Sequence, residues 1–86
     1  MERLAGKRAV ITGAGSGIAR AAARIFVAEG AQVVIAEIDE EKGQASAAEA
    51  GDAALYIHTD VTDEASVKTT MAQAKERHGG IDILFN

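Results

Sequence analysis

At 86 residues, with 48% hydrophobic, 26% charged and only 3% aromatic content, the chain is at most one small domain, ordered rather than intrinsically disordered. It contains no cysteine, which excludes disulfides and thiolate metal sites and points to a reducing, cytoplasmic setting. A net charge of −4 with scattered basic residues argues against a nucleic-acid partner, and no apolar run approaches the roughly 20 residues that cross a bilayer.

Met1-Glu2-Arg3-Leu4 lacks the apolar core of a signal peptide. Lys7 to Thr12, with its Ala9-Val10-Ile11 run, reads as a first strand buried on both faces. Glycines at 13, 15 and 17 then break the chain into a turn. Ser16 to Glu29 reads as a helix whose stripe is Ile18, Ala22, Ile25, Phe26 and Glu29, with Gly30 as its stop. Gln32 to Glu37 is a second strand. Asp39 caps a second helix that runs to about Ala50, in which Gly43 weakens the helix by about 1 kcal/mol relative to alanine.

Gly51-Asp52 is a turn, and Ala54 to His58 a third strand. Thr62 or Asp63 caps a third helix. Its first turn is acidic (Asp63, Glu64), its last turn basic (Lys75, Arg77, His78), and Gly79-Gly80 ends it. Ile81 to Phe85 reads as a fourth strand, followed by Asn86.

Strands alternate with helices and no hairpin signal joins two strands, so the sheet is expected to be parallel. Right-handed crossovers give an α/β fold: a partial Rossmann, doubly wound sheet of four strands in order 3-2-1-4 with three helices, its switch point at the glycine turn. A complete dinucleotide fold of this kind has six strands. Residues 1–86 therefore read as the N-terminal half of a single domain cut at strand four, whose uncovered apolar edge predicts self-association.

A strand, a glycine turn and a helix N-terminus together make a phosphate site, because unpaired N–H groups and the positive end of the helix dipole converge there. The spacing departs from GxGxxG, since Ile18 stands where the last glycine would be. It follows TGxxxGxG through Thr12, Gly13 and Gly17, with Ala19 in place of the final glycine. On these residues the chain resembles the short-chain dehydrogenase/reductase family. The resemblance extends through Lys7 before strand one, the acid closing strand two, Asp60-Val61-Thr62 after strand three and Asp82-Ile83-Leu84-Phe85-Asn86.

Gly13 would then permit the tight turn. Gly15 and Gly17 would keep side chains off a pyrophosphate, with amides near Ser16, Gly17 and Ile18 donating to it. The alanine at position 19 is expected to cause a small shift where helix packs on sheet. Glu37, 24 residues after Gly13, has the spacing of an acid that accepts from the adenosine ribose hydroxyls and repels a 2′-phosphate, favouring NAD over NADP. Ser16 agrees, because NADP-binding relatives often carry arginine there. Ile38 would wall the adenine. The alternative for Glu37 is a solvated strand-end acid.

The resemblance further implies that Asp60 takes the adenine amino group and the Val61 backbone a ring nitrogen, the alternative for Asp60 or Thr62 being helix capping. It places Asn86 beside the cofactor ribose, the alternative being a frayed end. Catalysis in the family needs a Tyr-x-x-x-Lys pair with an upstream serine. The single tyrosine, Tyr56, is followed four positions on by Asp60 and reads as an ordinary strand residue. No catalytic residue is therefore assigned, and no metal site, since His58 and His78 lack ligand spacing. His78 reads as a helix C-terminal cation.

The functional expectation is the NAD(H)-binding portion of an oxidoreductase, inactive alone. Its full-length parent, a homo-oligomer, would move hydride between NAD and an alcohol or ketone carbon. The alternative is a non-catalytic nucleotide-binding or association module.

Overall fold

A computed structural model of the chain describes residues 3–15 and 17–86. In chain order the elements are β1 (Arg8–Thr12), α1 (Gly17–Ala28), β2 (Gln32–Glu37), α2 (Glu40–Ala50), β3 (Ala54–His58), α3 (Glu64–His78) and β4 (Ile83–Phe85). All strand pairs are parallel and the order is β3-β2-β1-β4, with registers Val10↔Val34, Ile35↔Tyr56 and Val10↔Leu84. The expected α/β doubly wound sheet is thus the observed one.

The central strands bury both faces, as their unbroken apolar runs demand. Ala9, Ile11, Val33 and Ile35 turn to the side covered by α1 and α2, and Val10, Val34 and Ala36 to the side covered by α3. Both later helices have side-chain caps: Asp39 accepts from Lys42 N–H at 3.0 Å, and Asp63 accepts from Ala65 N–H at 3.0 Å. Gly79 closes α3 in the left-handed region at φ 84°.

Two sequence expectations need correction. The buried stripe of α1 is Ala19, Ala22, Ala23, Phe26 and Val27, whereas Ile18 is 82% exposed and Ile25 is also exposed. Alanines let the helix axis lie close to the sheet, which turns the bulkier isoleucines outward. The methyl of Ala19 joins this packing. Strand β4 begins at Ile83 rather than Ile81. The Asp82 carboxylate itself accepts the Arg8 main-chain N–H at 2.9 Å, so residue pairing with β1 starts one step later, at Ala9↔Ile83. His78 shares the last turn of α3 with Lys75 and Arg77, as expected, and burial, followed by Arg77, lowers its pKa.

Gly43 also acquires a reason. A Cβ there would collide with Cε1 and Cδ1 of Tyr56, so the missing side chain lets the ring pass beneath α2. The Tyr56 hydroxyl then donates to the Glu37 carbonyl at 2.8 Å, tying the last residue of β2 to β3. Burial, followed by Glu40, Glu37 and Asp39, raises the Tyr56 pKa and keeps it a donor.

Candidate dinucleotide site

The carboxyl ends of β1, β2 and β3 open on one side of the sheet, at the switch point between the faces, where α/β folds hold their ligands. Gly13 and Gly17 have φ of 66° and 65°, the left-handed region that side chains rarely adopt, and a Cβ on either would meet open space. Gly13 N–H donates to Ala36 O at 2.9 Å, fastening the turn to β2.

Gly15 is needed for a different reason. A Cβ there would lie 2.6 Å from Glu37 Oε1 and 2.8 Å from Lys42 Cβ. Its N–H donates to Glu37 Oε1 at 3.0 Å, while Asp39 N–H donates to Glu37 Oε2 at 2.9 Å. The Glu37 carboxylate is therefore held by two main-chain amides against the glycine turn. Ser16 lies outside the described residues.

Around this centre, Ile18, Ile38 and Val61 present exposed apolar side chains at the start of α1 and after β2 and β3. Such surface suits a planar or sugar-bearing ligand better than it suits water. On the other flank, Thr12 Oγ1, at the end of β1, donates to Asn86 Oδ1 at 3.0 Å. This bond adds Thr12 to the site residues. Its place as the last residue of β1 and the first letter of TGxxxGxG is its signal in the sequence.

Asp60 is not drawn into this group. Its carboxylate accepts from Thr62 N–H at 2.9 Å and Thr62 Oγ1 at 2.6 Å, and its own N–H donates to Ser66 Oγ at 2.9 Å. Those bonds hold its carboxyl below the usual carboxylate range. The cap of α3 is Asp63, so the capping alternative fails for both Asp60 and Thr62.

A recess of about 530 Å³ opens elsewhere, on the outer edge of β3 between Glu40, His58 and Arg77. No glycine-turn residue lines it. Among the described residues no group of three or more His, Cys, Asp or Glu is placed to hold a metal, and no helix is long and apolar enough to cross a membrane.

Residues 7–86 match the family profile described as short chain dehydrogenase. The chain is 52% identical over 84 residues to sorbitol dehydrogenase of Cereibacter sphaeroides, covering 98% of this chain and 33% of that protein. It is 48% identical over 85 residues to momilactone A synthase of Oryza sativa subsp. japonica, covering 98% of this chain and 31% of that protein. Among solved structures it is similar to 3-ketoacyl-(acyl-carrier-protein) reductase from Brucella melitensis complexed with NADH. The TM-score there is 0.91 with 43% identity, over 94% of this chain and 33% of that one. The chain thus spans about a third of the length of the curated relatives it matches.

Proposed function

This chain belongs to the short chain dehydrogenase family, and on that premise we propose that it binds NAD(H) and is the cofactor-binding portion of an oxidoreductase. The doubly anchored Glu37 carboxylate beside the glycine turn carries the reading. It is a fixed anion with lone pairs left over, next to a main chain that no Cβ obstructs at Gly13 or Gly17. That donor and acceptor set suits a pyrophosphate joined to a ribose diol.

In this reading the amides of Ser16, Gly17 and Ile18 receive the pyrophosphate, and Gly13 and Gly15 shape its approach. Glu37 accepts from the adenosine ribose hydroxyls and disfavours a 2′-phosphate, so NAD is preferred to NADP. Ile38 walls the adenine, Asp60 and the Val61 main chain hydrogen-bond to its edge, and Asn86 stands beside the cofactor ribose. Because the Asp60 oxygens already serve Thr62, its contribution to adenine uses the acceptor capacity left over.

When bound, the dinucleotide supplies or accepts hydride; the proposed substrates of the full-length parent are small alcohols and ketones. The 86 residues contain no Tyr-x-x-x-Lys, so proton transfer belongs to other residues of the parent, and this chain alone is proposed to be inactive. The reading extends to a cytoplasmic parent that assembles as a homo-oligomer.

Titration calorimetry of the 86-residue chain with NAD tests the site. Saturable binding is expected, and no heat at millimolar NAD ends the proposal. Glu37→Ala is expected to relax the preference for NAD over NADP; an unchanged ratio removes the ribose assignment.

A further inference from the structure

Resting on that reading of Glu37, we propose that Arg20 and Lys42 complete a latent 2′-phosphate receptor around its carboxylate. Cofactor choice in this chain would then be a balance of charges rather than a property of Glu37 alone. The two main-chain N–H groups of Gly15 and Asp39, at 3.0 and 2.9 Å, already converge on an anion, and that anion is the Glu37 carboxylate. Take it away and two amide donors are left pointing at one place, the beginnings of a phosphate nest.

Two cations flank that place. Arg20 Nη1 donates to the carbonyl of Gly15 at 3.5 Å, so guanidinium and carboxylate engage the two main-chain polar groups of one residue. Lys42 starts its side chain against the same glycine, its Cβ lying 2.8 Å from where a Gly15 Cβ would stand. It is exposed and enters none of the ion pairs formed among the described residues. Its flexible four-carbon stem lets the ammonium swing to an anion at this spot.

The local charges fit this role. Glu49 is shared by Arg20 at 2.7 Å and Arg24 at 3.0 Å, so the pair of arginines is only half neutralised. Asp39 has its carboxylate committed to the cap of α2, and Glu40 turns to the recess on the outer edge of β3. Removing Glu37 therefore takes away the carboxylate that the Gly15 and Asp39 amides hold, and leaves Arg20 and Lys42 beside the place where a ribose 2′-substituent would sit. A phosphate there would gain charge-assisted bonds from a guanidinium and an ammonium as well as from the two amides.

The test is calorimetry of the full chain with adenosine 5′-diphosphoribose and with its 2′-phosphate, followed as the ratio of the two affinities. Glu37→Ser is expected to move that ratio toward the phosphorylated probe by at least about tenfold. Adding Lys42→Ala or Arg20→Ala is expected to return about tenfold each, with a shallower salt dependence. Arg20 also ties α1 to α2, so the exposed Lys42 decides the matter if the Arg20 variant does not melt cooperatively.

A gain in Glu37→Ser that survives both second substitutions overturns the proposal. So does no gain while the unsubstituted chain still binds diphosphoribose, and in that case the site reading stands. No binding of diphosphoribose to the unsubstituted chain removes both.

Discussion

The two faces of the sheet are built from the same strands and are covered differently. On one, α1 and α2 lie over Ala9, Ile11, Val33 and Ile35, and Phe26 meets Phe85 edge-to-face with ring centroids 6.1 Å apart. On the other, α3 alone covers Val10, Val34 and Ala36 through Ala74, Met71 and a buried hydroxyl pair, Thr59 and Thr70, 2.6 Å apart. Leu84, on that second side, is left 52% exposed. The glycine turn grows out of the doubly covered face, since it is the link from β1 into α1. The part of the chain proposed to hold the dinucleotide is therefore mounted on the better-packed half.

The largest effect expected from that contrast is at Ile35, which is fully buried under α1 and α2. Ile35→Ala is expected to lower stability by about 2–5 kcal/mol in urea unfolding. Leu84→Ala, on the side of α3, is expected to cost less than about 1 kcal/mol. Equal losses at the two positions would mean that the faces contribute alike.

Gly43→Ala comes next, and its sign decides between two accounts. Helix propensity alone says that alanine stabilises a helix interior by about 1 kcal/mol. The Tyr56 ring beneath α2 says that the new methyl overpacks, at about 1–3 kcal/mol of destabilisation. Destabilisation is expected, partly relieved when Tyr56→Leu is added, and the double-mutant cycle measures the coupling. Tyr56→Phe, which removes only the hydroxyl bonded to the Glu37 carbonyl, is expected to lower stability by about 1 kcal/mol.

Sequence reasoning reached what is set by neighbours along the chain. The bounds of β2 and β3 follow from short apolar runs ended by polar or glycine residues, and α2 from Asp39 at one end and Gly51 at the other. Glu37 beside the glycine turn was also legible, because consecutive parallel strands bring their carboxyl ends together. What escaped was set by contacts across the fold. The outward turn of Ile18 and Ile25 depends on how closely α1 approaches the sheet, and periodicity weighted their bulk above the alanines that make contact. The Tyr56–Gly43 fit joins separate elements, and no local spacing announces it. At β4, a side chain intercepted a main-chain donor, which an apolar run cannot reveal.

The smallest expected effect lies where that interception occurs. Arg8 Nε donates to Asp82 Oδ2 at 2.9 Å, Arg8 Nη2 to Oδ1 at 3.2 Å and Arg8 Nη1 to the Gly79 carbonyl at 3.1 Å. One guanidinium thus clamps the entrance of β4 to the foot of β1. Hydrogen bonds from Arg8, and then its charge, hold the Asp82 carboxyl below its ordinary pKa of 3.8. The unfolded chain therefore takes up a proton at Asp82 at a higher pH than the folded chain does, so stability rises with pH across this interval. The contribution is complete above about pH 4 and is lost as pH falls from there through the lowered, folded-state value. Both groups face solvent, so screening keeps the effect modest, and added salt is expected to shrink it. Asp82→Asn removes the titrating group while leaving an acceptor for Arg8. Urea midpoints measured from pH 6 down to pH 3 should fall less steeply in this variant than in the parent chain. Parallel acid limbs in the two proteins would show that the clamp carries no pH-dependent stability, and that β4 is held by its ladder to β1 alone.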